Sequence, residues 1–196
     1  MEFNRHSELE GKHSYLSASS SAWLRYEPEQ LIERVQKSNA AALGTRLHAF
    51  ACEAIKLRQK MENNGKTVNR YVNDCIGFRM IPEQPLFYSW YAFGTADALS
   101  FRREADGTRV LRIFDLKTGT GPVKFEQLVV YAAYFNLEYG GKYKFKPMDI
   151  AYELRIYQND DYQVYIPEPE EVVYCMSRIV ESDKIIRAHM ENEEWQ

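Results

Sequence analysis

The stretch LRIFDLKTGTG, Leu111 to Gly121, sets an acid and a base two residues apart at the end of an apolar run, just before a glycine-rich turn. In a strand, residues i and i+2 point to the same face, so Asp115 and Lys117 share a face and Leu116 takes the other. The apolar run before Asp115 implies a buried strand that delivers its polar end to one spot. The segment TADALSFRR, about 95–103, looks extended, and EADGT supplies a turn at Asp106-Gly107. Residues 97–117 therefore read as an antiparallel hairpin. Asp97 starts its strand where Asp115 ends its own, which would set the two carboxylates side by side. Such a pair repels, and without help one acid takes up a proton. A divalent cation is the usual remedy, and Mg²⁺ prefers oxygen ligands. An ammonium group beside that ion suits phosphoryl chemistry. It can stabilise charge on the attacked phosphodiester or help to position water.

Other polar groups fall where they can join this pair. A helix at about 122–138 carries Phe125, Leu128, Ala132 and Phe135 on one face. Gln127 and Tyr131, four residues apart on it, share a face that can look into the same cleft. His48 follows GTRL at the border of the apolar face of an earlier helix. Gly119 and Gly121 suggest a phosphate loop, but GTGPVKFE lacks the Gly-Lys-Ser/Thr ending of a P-loop and contains a proline, so nucleotide binding there is rejected.

The elements that must hold these groups can be read along the chain. Residues 38–61 form the strongest helix candidate, with Leu43, Leu47, Phe50, Ala51, Ala54, Leu57 and Met61 at three- and four-residue steps. MENNGKTVN ends it with Asn and Gly. The serine tract SASSSAW reads as a loop ending in a helix N-cap. A first strand is expected near Ile76–Ile81. MDIAYELRIYQ and YQVYIP flank NDD as a second hairpin, and a closing helix runs from Glu168 to about Glu191, with Val172, Cys175, Ile179, Val180 and Ile186 among its apolar positions. Helix, strands, helix, strands, helix is the order of an α/β or α+β sandwich with a mixed central sheet. One domain is expected over 1–196, with a motif core at about 40–140 and a C-terminal hairpin and helix at about 148–191.

Bulk properties narrow the class. With 196 residues and 45% hydrophobic content, the chain can bury a sizeable core. Its net charge of −3 gives no nucleic-acid signature by itself, although metal ions and small basic patches can meet phosphate locally. No run reaches the roughly 18 apolar residues of a membrane span. MEFNRHSELEGKHS is polar and lacks a signal-peptide core. An intracellular, cytoplasmic protein without membrane partners is expected. Cys52, Cys75 and Cys175 fit neither a disulfide framework nor zinc spacing and read as buried free thiols.

Taken in order, these motifs resemble the PD-(D/E)XK nuclease superfamily in its RecB-like branch, which includes phage-type exonucleases. The Gly-x-x-x-His helix is matched by GTRLH, Gly44 to His48, and the Gly-x-x-Asp at a strand start by GTAD, Gly94 to Asp97. The strand ending Asp-x-Lys-x-Gly is matched by IFDLKTG, and the Gln-x-x-x-Tyr helix by QLVVY, Gln127 to Tyr131. LSASSSAWLRYEP resembles the serine-rich segment upstream in this branch.

The resemblance implies a restriction-endonuclease-like fold, a mixed sheet flanked by helices. His48, Asp97 and Asp115 would hold Mg²⁺ or Mn²⁺ with the backbone carbonyl of Leu116, and Lys117 would be the catalytic lysine. Gln127 and Tyr131 would orient Lys117 or contact DNA. Glu83, in MIPEQPL, matches an acidic position before the Gly-x-x-Asp strand, or is a loop acid. Relatives with an iron–sulfur cluster carry four cysteines; Glu27 stands where the first would fall and only Cys175 lies in the C-terminal region, so no iron–sulfur cluster is expected. The implied activity is a metal-dependent deoxyribonuclease, an exonuclease on double- or single-stranded DNA ends in recombination, repair or phage DNA processing. The alternatives are a restriction-type endonuclease and a DNA-binding or assembly protein that keeps the fold without cleavage. A homo-oligomer is compatible with this class, as is a separate recombinase, annealing protein or helicase partner. Lys124, Lys142, Lys144 and Lys146 are the candidate DNA contacts, with Tyr139 and Tyr143 interleaved for base stacking. A solvated lysine-rich loop is the other reading of that segment.

Overall fold

The computed structural model describes residues 14–193; the polar N-terminal segment read above lies almost wholly outside that span. The chain divides into two compact units between Arg46 and Leu47. In the first, the serine tract is not a loop but a 3₁₀ segment, Ala18–Arg25, with Trp23 Nε1 donating to the Ser17 carbonyl at 3.0 Å. Helix α1, Pro28–Lys56, starts ten residues before the expected 38, with proline at its first helical position, where the missing N–H costs nothing. Glu27 N–H is held by Gln30 Oε1 at 2.9 Å. Tyr15 is tied to this helix by its hydroxyl, which donates to Asn39 Oδ1 at 2.6 Å, and by its carbonyl, which accepts from Arg34 Nε at 3.0 Å.

The second unit holds the end of α1, then α2 (Thr67–Gly77), β1 (Ile81–Ser89), β2 (Ala92–Arg103), β3 (Arg109–Leu116), α3 (Glu126–Tyr143), β4 (Ile150–Gln158), β5 (Asp161–Tyr165) and α4 (Pro169–Glu193). The sheet order is β1-β2-β3-β4-β5. All neighbours are antiparallel except β3 and β4, which run parallel and are joined by α3 as the crossover. This is a mixed α/β architecture with a five-stranded sheet flanked by helices. Prolines 82 and 85 sit in β1, an edge strand, where a missing N–H breaks no inner ladder.

Two cores cover the sheet. On one face Leu99, Leu111, Ile113, Leu154 and Ile156 pack with Leu128, Ala132 and Phe135 of α3 and Val172 of α4. On the other, Ala98, Phe114, Leu116 and Tyr157 pack with Ala51, Ala54 and Ile55 of α1 and Tyr71, Val72 and Cys75 of α2. Of the thiols, only Cys75 is buried; Cys52 and Cys175 are half-buried, and all three are free.

The structure corrects the reading of residues 57–81. No strand runs from 76 to 81: α2 ends at Gly77, and β1 begins at Ile81. Val68, Tyr71, Val72, Cys75 and Ile76 already carry the helical step. Helix α1 stops at Lys56, before the Asn-Gly pair. Arg58 takes a left-handed φ of 54°, and Gln59 N–H donates back to the Ala54 carbonyl at 2.9 Å. The end of α2 repeats the motif, with Arg79 at φ 52° and Met80 N–H on the Cys75 carbonyl at 2.8 Å. Among the described residues no helix is long and apolar enough to cross a membrane.

Candidate active site

Three acids from three adjacent strands lie in one row. The β1–β2 register passes from Pro82↔Ala98 to Gln84↔Ala96, so Glu83 stands opposite Asp97. The β2–β3 register reaches Ala98↔Phe114, so the next step brings Asp97 opposite Asp115. Asp97 does not start its strand, as the hairpin reading had it. It lies inside β2, because β2 extends back to Ala92 to pair with β1.

The backbone is irregular at this row. Ala96 and Leu99, three residues apart, both pack in the α3-side core, while Ala98 packs in the opposite one. Strict alternation would put Ala96 and Ala98 on one face. The slip falls at Asp97, opposite Glu83, whose φ of 50° is left-handed and costly for a residue with a Cβ. The irregularity turns Glu83 and Asp97 toward the helix that carries His48. His48 Nδ1 lies 3.4 Å from Asp97 Oδ2. One ligand atom each from His48, Glu83 and Asp97 fall within 4.8 Å of one another. Asp97 Oδ2 also accepts from the Leu116 N–H at 2.9 Å, so it is the amide of Leu116 that reaches this acid. Burial, then the charge of Asp115, push the Asp97 carboxyl up to about 6; the Leu116 N–H and His48 pull the other way, and Glu83 adds to the rise.

Asp115 occupies a second, adjoining arrangement. Its neighbours Phe114 and Leu116 pack toward α1 and α2, so alternation turns Asp115 to the α3 face. It is 3% exposed, a depth at which a carboxylate needs a partner. Lys117 Nζ donates to its Oδ1 at 3.1 Å and lies 2.9 Å from Oδ2. The second contact is close but outside hydrogen-bonding geometry, which leaves Oδ2 buried without a hydrogen bond. Lys117 Nζ also donates to Gln127 Oε1 at 3.0 Å, and Gln127 Nε2 donates to the Tyr131 hydroxyl at 3.1 Å. Gly94 gives Tyr131 its seat, since a Cβ there would meet Tyr131 Cε1 at 2.9 Å. A relay thus runs from Gly94 through Tyr131, Gln127 and Lys117 to Asp115.

The structure unites His48, Glu83 and Asp97, and it unites Asp115, Lys117, Gln127 and Tyr131. Asp115 is not a member of the three-donor cluster, although its charge acts on Asp97. The first set, an imidazole and two carboxylates, can hold a divalent cation, and the charge of Asp115, which is paired with Lys117, acts on it through Asp97.

Beside Lys117 opens a cavity of about 590 Å³, walled by the Gly119–Gly121 turn, Lys124, Gln127 and Gln158. Gln158 went unnoticed in the sequence. Its Nε2 donates to the carbonyls of Gly119 and Gly121 and so holds the turn after Lys117. Its signal was topological: β4 lies parallel to β3, and sites gather beyond the carboxyl ends of parallel strands. Lys142, Lys144 and Lys146 are exposed but do not converge on the acids. Lys142 is helical rather than in a loop, and fifteen residues of α3 separate it from Gln127, about 22 Å at ~1.5 Å per residue. No protein-family model matches the sequence, and comparison with curated proteins gives no match.

Proposed function

We propose that the chain is a metal-dependent deoxyribonuclease of the PD-(D/E)XK type, with a restriction-endonuclease-like fold, that hydrolyses phosphodiester bonds at DNA ends. The observation that carries the reading is the Asp115–Lys117–Gln127–Tyr131 relay beside the His48–Glu83–Asp97 cluster. Mg²⁺ or Mn²⁺, held by His48, Asp97 and Glu83 with Asp115 adjoining, would supply Lewis-acid polarisation of a phosphoryl oxygen and lower the pKa of bound water.

The chain's own groups do the rest. An ammonium has three N–H donors. Asp115 and Gln127 take two of those of Lys117 and fix its direction, which leaves the third for a non-bridging phosphoryl oxygen. Water adds to phosphorus as the P–O bond to one sugar oxygen breaks; that oxygen leaves with a proton from solvent, and the water gives up its own. Lys117 stabilises the added charge only while its partners aim it, so Gln127 and Tyr131 act as positioning residues. Lys124, which lines the same cavity as Lys117, can meet a neighbouring phosphate.

Digestion of internally labelled linear and circular DNA, single- and double-stranded, with Mn²⁺ tests this. Chelator-sensitive loss of label from linear but not circular DNA is expected, and it should vanish in Asp115→Ala and Lys117→Ala. Cleavage of circles would make the enzyme an endonuclease. A second reading, DNA binding without hydrolysis, is favoured by Asp115 standing outside the three-donor cluster. Retention of uncut DNA in both Mg²⁺ and Mn²⁺ would decide for it.

A further inference from the structure

At the far end of α3 from Lys117, a cavity of about 400 Å³ is walled by five aromatic rings, Ile81, Leu99, Gln84 and one arginine, Arg109. The rings form a continuous series. Phe101, Phe135 and Phe145 pack with centroids 5.0 to 5.7 Å apart, Tyr139 joins Phe135 at 5.1 Å, and Tyr143 follows Tyr139 at 6.1 Å. The series runs from buried Phe145 to Tyr143, which is 58% exposed, so it ends in a ring that solvent reaches.

The charge around Arg109 is unusual. Arg109 and Arg103 are direct cross-strand partners on β3 and β2. Like charges in that position repel, and two facing guanidiniums call for an anion. Among the described residues neither guanidinium has a carboxylate or hydrogen-bonding partner; the nearby Glu104 is engaged by Arg112 at 2.6 Å. Lys142 Nζ adds a third cation, 5.3 Å from the Tyr143 ring centroid. This concentration of positive charge stands out in a chain whose net charge is −3.

We infer that this cavity binds a nucleotide, its base stacked on Tyr143 and its phosphate held by Arg109 and Arg103. An aromatic slot suits a flat heterocycle. Two guanidiniums at its edge suit a phosphate, which takes paired N–H donors. The volume lies in the range of small-ligand sites. Tyr139 lies twelve residues along α3 from Gln127, about 18 Å at ~1.5 Å per residue, so the cavity is separate from the acid cluster. That span is about five nucleotides of a DNA strand at ~3.4 Å each. The same chemistry can therefore come from a free mononucleotide or from a nucleotide within a strand.

Equilibrium dialysis in EDTA, where no cleavage occurs, separates these sources and stands apart from any nuclease activity. The probes are dAMP, deoxyadenosine and a (dT)₅ strand, against wild type, Arg109→Gln, Tyr143→Ala and Tyr143→Phe. Thermal melts confirm that each variant is folded. Arg109→Gln and Tyr143→Ala should each weaken binding about tenfold or more, whereas Tyr143→Phe should keep it. Binding of both dAMP and (dT)₅ with these losses supports a site that takes free nucleotides. Binding of (dT)₅ alone, with the same losses, supports a strand site. The inference is overturned if neither probe binds, if the variants bind as wild type does, or if deoxyadenosine binds as well as dAMP.

Discussion

Asp97→Asn offers the sharpest perturbation of the acid row. The carboxyl is pushed from the ordinary 3.8 to about 6, first by burial and then by Asp115, with Glu83 adding to the rise while His48 and the Leu116 N–H oppose it. The fold therefore prefers the protonated acid. Below pH 3.8 there is no penalty; the cost grows as the pH rises and is complete above about 6. The gap corresponds to about 3 kcal/mol at neutral pH. Asparagine keeps an oxygen to accept the Leu116 N–H and removes the charge. In EDTA at pH 7.5, Asp97→Asn should therefore melt higher than wild type, by at most about 6–12 °C for a chain of this size. The advantage should fall to about half at pH 5 and nearly vanish near pH 4. Mn²⁺ should stabilise wild type and do little for the variant. Differential scanning calorimetry at the three pH values, with EDTA and with Mn²⁺, measures all of this. A variant no more stable than wild type in EDTA at pH 7.5 would refute the reasoning.

Other perturbations reach the relay and its supports. Lys117→Ala strips buried Asp115 of its counter-ion; it should cost about 1–3 kcal/mol in urea denaturation and lower cleavage of labelled DNA about 100-fold or more. Gly94→Ala drives a Cβ to 2.9 Å from Tyr131 Cε1. It should cost about 1–3 kcal/mol, and a double-mutant cycle with Tyr131→Ala should be strongly non-additive, because removing the ring removes the clash. Gln158→Leu frees the Gly119–Gly121 turn; single-turnover cleavage should slow about tenfold while the melting temperature moves by less than about 3 °C.

The parts of the fold that were legible carry local signals. Asp106-Gly107 marks the β2–β3 turn, and Gly107 takes a left-handed φ of 91°. The NDD turn places Asn159 and Asp160 at φ 55° and 59°, the conformation that a tight hairpin demands. The Gln127–Tyr131 spacing on one helical face was likewise readable, and the two side chains do meet. What escaped depends on distant parts of the chain. Helix α2 has no capping side chain at Lys66; its first amide, Thr67 N–H, is held by Asp160 Oδ1 at 2.9 Å, from a turn more than ninety residues away. The length of β2 could not be read without its partner β1, so Asp97 looked like a strand start. Glu83 read as either a site acid or a loop acid, because the left-handed conformation that turns it to His48 has no glycine or asparagine to mark it.

Pulsed electron paramagnetic resonance of bound Mn²⁺ tests the metal site most directly. One Mn²⁺ per chain is predicted, with a ¹⁴N coupling that disappears in His48→Ala, and with weaker binding in Asp97→Asn and Asp115→Asn. Failure to bind Mn²⁺, or a bound ion without nitrogen coupling in wild type, would contradict the account.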